Sequence, residues 1–438
     1  MSAKPTRVRY WVLFVVCVLY LVTYLDRVSI SVTAPAMMKA FGLNSFQMGL
    51  IFSAFVWPYA LCQLPTGMLG DRFGPRKVLT VMVVWWSVFT AATGLAWNFA
   101  SLLLVRILFG MGESGAIPVA NRAFSYWLPP TERGFASGIT HSFSRVAGAL
   151  TPVIAVAIMV LWGWQAVFYI FSIGGIAWAA LWFFWYRDTP AEFNKRWGPV
   201  VNQAEMDLAD AGQKPVKKVA SVPFSQIIRS KNLWVLGMSD FMYSYAFWIY
   251  LAWLPTYLVQ ARGFTMVKMG IFASLPMLAG AVGDTVGGWL SDMLLKYTKN
   301  AKFARRSVPM FGLIMAALLM TPGGMTDSPY LAVTLLTAGL FCLEMAIAGY
   351  YTVCLDVAQE SAGSATGMVS CLGNLGSAIS PMVFGAIVYY GNSWVWPFVI
   401  ASVILLIGAA LWMWVDPTLP LTEELARLDK RPVEGVAV

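Results

Sequence analysis

Twelve apolar stretches, each long enough to cross about 30 Å of hydrocarbon, fill most of this chain. They lie roughly at 10–35, 47–69, 78–97, 99–125, 135–161, 164–186, 232–258, 267–293, 307–323, 330–355, 363–390 and 393–415. They predict an all-α membrane protein of twelve transmembrane helices, with the lipid bilayer as its surroundings. Composition agrees: 59% of the 438 residues are hydrophobic and 12% charged, against about 25% charged in a soluble domain. The start, MSAKPTRVRYWV, is basic and runs into a span too long for a signal-peptide core, with no small-residue cleavage site after it. It reads as an uncleaved first helix.

Basic residues set the expected orientation. Lys4, Arg7 and Arg9 precede the first span, Arg72, Arg76 and Lys77 follow the second, and Arg133 follows the fourth. Eight more fall between Arg187 and Lys231, and Lys296, Lys299, Lys302, Arg305 and Arg306 follow the eighth span. The alternate loops are short and nearly uncharged apart from Arg262 and Lys268. Both termini are therefore expected in the cytoplasm. The net charge of +9 is accounted for by these loops, so no nucleic-acid partner is needed. Cys17, Cys62, Cys342, Cys354 and Cys371 fall in or beside spans, where apolar burial is expected, and neither disulfide nor metal spacing is present. A lone His141 cannot build a zinc site and reads as a hydrogen-bonded helix-packing residue. No Gly-Lys-Ser/Thr phosphate loop occurs, so neither ATP nor any other cofactor is implied.

A polar stretch from Asp188 to Lys231, holding Pro190, Pro199, Pro215 and Pro223, divides the spans into six and six. The expected organisation is a six-helix bundle over 1–187, a cytoplasmic linker over 188–231, a second bundle over 232–416 and a cytoplasmic tail over 417–438. A short amphipathic helix is expected in the linker near Gln203 to Ala211. The halves echo each other. Gly67-Met-Leu-Gly-Asp71-Arg72-Phe-Gly-Pro-Arg76-Lys77 follows span two, and Gly287-Gly-Trp-Leu-Ser-Asp292 with a basic loop follows span eight. Glu132-Arg-Gly-Phe-Ala-Ser-Gly138 after span four is matched by Glu360-Ser-Ala-Gly-Ser-Ala-Thr-Gly367 after span ten. Duplicated halves mark transporter folds, which rock one half against the other around a midplane site.

Charges inside the spans locate the chemistry. Asp26 and Arg27 are adjacent in span one, where a central charge costs about 2.5–3.5 kcal/mol on insertion scales. Arg106 and Glu113 in span four are seven residues apart, close to two helical turns, which turns both to nearly the same face. Gly110, Gly112 and Gly115 thin that helix for a close neighbour. Asp26 and Glu113 are the proton candidates, because water access or an arginine partner can switch a buried carboxylate between charged and neutral. Arg27 is the leading carboxylate ligand through its planar fork. Arg106 could touch substrate or tune an acid, and Arg122 is assigned to a gate or the lipid interface. The competing reading makes Asp26 with Arg106, or Glu113 with Arg27, a static salt bridge that only holds helices together.

The run Gly67 to Lys77 resembles the loop signature of the major facilitator superfamily, and the resemblance covers the whole chain. Tyr24-Leu-Asp26-Arg27, Arg106-Ile-Leu-Phe-Gly-Met-Gly-Glu113, Trp253-Leu-Pro-Thr-Tyr-Leu258 and Gly373-Asn374-Leu-Gly376 resemble its anion–cation symporter branch, the bacterial sugar-acid transporters of galactonate, glucarate and hexuronate type. The resemblance implies two pseudo-symmetric six-helix bundles, proton coupling at Asp26 and Glu113, and pocket roles for Tyr24 and Tyr59. Asn374 and Tyr351 occupy comparable places in the second half. Asp71, Arg72 and Arg76 would lock one side of the protein, Asp71 pairing with the neighbouring arginines, and Asp292 would do part of this work in the second half. Three departures stand out: Ser144 where an amide side chain is expected, Asp240 where relatives carry glutamine, and Glu344 in span ten. Ser144 and Asp240 join the candidate substrate contacts. Asp284 in span eight is open between a functional acid and a structural partner.

The expected function is proton-coupled import of a small organic anion, a sugar acid, by a monomeric transporter of the bacterial inner membrane. The alternatives are an aromatic acid stacked on Tyr243, Tyr245, Phe247, Trp248 and Tyr250, a dicarboxylic acid, or a receptor without transport. An enzyme is not expected, since neither a nucleophile–base pair nor a metal set is present.

Overall fold

The computed structural model describes residues 4–211, 222–358 and 361–429. Eighteen helices and no strand occur among them. They fall into two compact units, 1–216 with 265–274, and 217–264 with 275–438. The first unit holds α1 (Val8–Phe41), α2 (Ser45–Phe73), α3 (Pro75–Gly94), α4 (Phe99–Glu113), α5 (Ala116–Trp127), α6 (Pro130–Trp162), α7 (Trp164–Trp185), α8 (Pro190–Trp197) and α9 (Gln203–Ala211). The second holds α10 (Phe224–Ile227), α11 (Lys231–Gln260), most of α12 (Met266–Thr298), α13 (Ala301–Met325), α14 (Pro329–Glu344), α15 (Ile347–Ala358), α16 (Ala362–Gly391), α17 (Trp396–Leu411) and α18 (Leu421–Leu428).

Ten spans are long and apolar enough to cross a bilayer, two of them composite: Phe99–Trp127 and Pro329–Ala358. The other two of the twelve are α11, whose 30 residues are rich in Tyr and Trp, and the shorter apolar α17. Large apolar side chains such as Trp11, Leu161 and Trp289 stay exposed, as lipid-facing surfaces require. Local chemistry sets the helix starts. Asn44 with Gln47 forms a capping box on α2, and Asn98 with Ser101 forms one on α4. Gly74 stands between α2 and α3 at φ +81°, and a Cβ there would also collide with the Asp188 carboxylate that accepts the Arg76 N–H.

Packing repeats between the units: α1 lies along α6 as α11 lies along α16, and α3 along α7 as α13 along α17. Indoles tie helices together, Trp253 Nε1 of α11 donating to the Pro381 carbonyl of α16 and Trp178 Nε1 of α7 to the Val15 carbonyl of α1. The helix expected near Gln203 is present as α9. Its Glu205 accepts from Arg9 N at 2.9 Å and Val8 N at 3.4 Å, and from the Thr6 hydroxyl, capping α1 where no residue of α1 does so. In the second unit Glu424 of α18 accepts from Asn232 N at 3.1 Å and Ser230 Oγ at 2.5 Å, capping α11.

Three expectations are corrected. The fourth and tenth spans are not continuous helices: α4 stops at Glu113 and α5 starts at Ala116, while α14 stops at Glu344 and α15 starts at Ile347. Burial holds for Cys17, Cys342 and Cys354, but Cys62 is half-buried and Cys371 is exposed. Asp71 pairs with Arg122 at 3.2 Å. It does not pair with Arg76, because that side chain lies over the Phe183 ring and donates to the Phe183 carbonyl, nor with Arg72, which lies over Phe73. Glu360 and the lysines at 214, 217 and 218 fall outside the described residues.

Candidate functional site

In the first unit α1 and α4 bring four charges into one enclosed cluster against the aromatic rings of α2. Gly110 makes this possible, since a Cβ there would collide with the Phe55 carbonyl and hold α4 off α2. Glu113, 0% exposed at the end of α4, accepts from Arg27 Nε at 2.5 Å. The Arg27 guanidinium sits 4.6 Å from the Tyr59 ring centre and 5.4 Å from those of Tyr24 and Phe55. Arg106 sits 5.0 Å from Phe55 and 4.5 Å from Phe109, so both arginines share the Phe55 ring.

Asp26 is 2% exposed, with Trp86 and Thr90 of α3 and Arg106 of α4 as polar neighbours. Neither of its carboxylate oxygens accepts a hydrogen bond of good geometry, and Arg27 Nη2, Arg106 Nε and Glu113 Oε2 are likewise enclosed without one. Buried polar atoms are nearly always satisfied, so this concentration of unused capacity makes the cluster the candidate site. Of the two salt bridges weighed on the sequence, Glu113 with Arg27 is formed, whereas Asp26 accepts no hydrogen bond from Arg106.

The remaining candidates are scattered. Ser144 is buried and its hydroxyl donates to the Thr140 carbonyl one turn back. Its hydrogen bond is spent within α6. Asp240 of α11 is buried against Gly373, and Asn374 is half-buried one residue on along α16. Tyr351 is 45% exposed on α15, while its neighbour Tyr350 is enclosed and hydrogen-bonded to Ser239 at 2.9 Å. The buried member of that pair is Tyr350, and its helical spacing with Val353, Cys354 and Val357 was the signal that could have shown it. Asp292 pairs with Arg305 at 2.7 Å, and the same guanidinium reaches Asp356 at 3.2 Å. His141 packs edge-on against Tyr20 with ring centres 5.9 Å apart. Phe55 and Phe109 were missed on the sequence. Phe55 lies one turn before Tyr59, an i, i+4 aromatic pair that could have placed it beside Arg27.

Comparison with known proteins gives a family. The model described as Major Facilitator Superfamily matches residues 16–381 and 300–436. A probable sulfoacetate transporter of Cupriavidus necator is 38% identical over 94% of this chain and 95% of its own length. A hexuronate transporter of Bacillus subtilis is 34% identical over 84% of this chain and 85% of its own, and a D-galactonate transporter of Escherichia coli 30% over 93% and 95%. A crystal structure of a bacterial homologue of the human lysosomal transporter Spinster superposes with a TM-score of 0.78 over 99% of this chain and 100% of the other, at 20% identity, which speaks for the fold. The chain is a multi-pass membrane transporter rather than an enzyme, and it belongs to the major facilitator superfamily, in its anion–cation symporter branch.

Proposed function

We propose that this protein is a symporter that carries a small organic anion together with protons by alternating access, in a bacterial inner membrane, with both termini cytoplasmic. A sugar acid (an aldonate, aldarate or hexuronate) is the substrate class best supported by the relatives. The observation that carries the reading is the Arg27–Glu113 ion pair beside Asp26, closed off from water. Arg106 completes the cluster, so two acids balance two arginines. An entering carboxylate would leave this enclosure one negative charge in excess, a state that low dielectric makes costly. A proton on Glu113 or Asp26 restores the balance, and on Glu113 it also frees Arg27 to grip the substrate. Anion and proton therefore bind as a set, which is what coupling requires. Tyr24, Tyr59, Asn374 and Asp240 would meet hydroxyls, Asp71 with Arg122 and Asp292 with Arg305 would fasten and release the gate, and the protein would act as a monomer.

A specific observation favours a second reading. Two guanidinium groups on the one Phe55 ring suit a short dianion, either a dicarboxylate or a sulfonate–carboxylate such as the relative from Cupriavidus necator carries by its name. Purified protein in liposomes, offered D-galactonate, D-glucuronate, succinate and sulfoacetate, decides between them. Accumulation of a sugar acid under an inside-alkaline gradient is expected. Accumulation of only the short dianions would favour the second reading, and no gradient-driven accumulation of any of the four would sink both.

A further inference from the structure

The break that ends α4 at Glu113 has a counterpart that ends α14 at Glu344. Both acids are 0% exposed, and in each unit the first long helix supplies the partner. Arg27 of α1 reaches Glu113 Oε1 at 2.5 Å, and Tyr243 of α11 donates to Glu344 Oε1 at 3.0 Å. We propose that Glu344 is a third proton-exchanging carboxylate, standing in the C-terminal unit as Glu113 stands in the N-terminal one, and that each cycle carries one proton beyond those bound by Asp26 and Glu113. This rests on the proton-coupled reading above.

The surroundings suit exchange. From α11, Glu344 meets Tyr243, with Asp240 one turn earlier and Tyr250 two turns later, its hydroxyl against Gly339. From α15 comes Tyr350, whose ring centre is 5.7 Å from that of Tyr243 and whose hydroxyl meets Ser239, the residue before Asp240. Cys342 lies on α14 itself, two residues before Glu344, and Cys354 is buried on α15. From α12, Gly280 lets the backbone approach, a Cβ there standing 3.1 Å from Glu344 Cγ, and Asp284 follows four residues on. On α13 the nearby packing positions are Gly312 and Ala316, while its Arg305 is engaged by Asp292 and Asp356. A phenol can donate to a carboxylate or to a carboxylic acid, so Tyr243 holds Glu344 in both states and keeps its own proton. The proton forms its O–H bond at the other carboxylate oxygen, coming from water and returning to water.

The test uses the full chain in phosphatidylethanolamine–phosphatidylglycerol bilayers. Infrared titration follows carboxylic-acid carbonyl bands, and reversal potentials give the proton-to-anion ratio for D-galactonate or sulfoacetate. Glu344→Gln should delete one titrating band and lower the ratio by one proton. Tyr243→Phe should keep that band and move it to higher frequency, a readout that stands even if Glu344→Gln fails to fold. Coincident wild-type and Glu344→Gln titrations, an unmoved band in Tyr243→Phe, or an unchanged ratio would each overturn the proposal. If neither anion is gradient-driven in the wild type, the symport reading falls instead, and the substrate-free infrared titration still decides whether Glu344 exchanges a proton.

Discussion

Arg27 and Arg106 are held by aromatic rings as much as by charge, with Phe55 common to both. A lysine at position 27 keeps the charge but has neither the planar fork nor the flat face that stacks on Tyr59. Arg27→Lys should weaken binding of the transported anion about tenfold or more, roughly the loss of one charge-assisted hydrogen bond, measurable by calorimetry on purified protein. An affinity within a factor of two of wild type would remove Arg27 from the substrate contacts. The charged residues of this cluster were legible because charge inside an apolar span is costly and has few explanations. Their aromatic setting was not, since Phe55 and Phe109 look like any apolar residue of a membrane helix. The partner of Asp71 was illegible for a related reason: it is a tertiary contact with Arg122, and sequence proximity favoured Arg72 and Arg76.

At the level of helices, the two breaks after Glu113 and Glu344 place an acid at the end of a helical segment, where the backbone ladder is already interrupted. Glycines at 110, 112 and 115 were read as thinning one continuous helix, and composition alone does not separate thinning from interruption. Gly110→Ala should push α4 away from the Phe55 carbonyl and destabilise the protein by about 1–3 kcal/mol, seen as a lower unfolding temperature in detergent. Unchanged stability would mean that α2 and α4 can part without cost. The short helices α9 and α18 act on the termini of other helices. Glu205 reaches the second residue of α1 and Glu424 the second residue of α11. Replacing either by alanine should cost about 0.5–2 kcal/mol, the range of an ordinary N-cap, and a thermal melt of each variant checks it. The helix α9 was readable from its amphipathic pattern. The helix α18 was passed over as tail, although Pro420 ahead of it, Glu423 and Glu424 in its first turn and Arg427 in its last are the signals of a short amphipathic helix.

Across the whole molecule the duplication runs deeper than the matched loop motifs suggested. Helix pairing, the broken fourth and tenth spans and the capping glutamates all recur from one unit to the other. The acid at the break recurs with a different hydrogen-bond donor: Glu113 accepts from Arg27 and Glu344 from the Tyr243 hydroxyl. On the proposed reading Asp26 is the most exacting element of the first unit, buried with Trp86, Thr90 and Arg106 as its polar neighbours. An asparagine there keeps the shape and removes the exchangeable proton. In liposomes, Asp26→Asn should lose gradient-driven accumulation while still exchanging internal for external anion in counterflow. Gradient-driven accumulation by Asp26→Asn at the wild-type level would contradict the account.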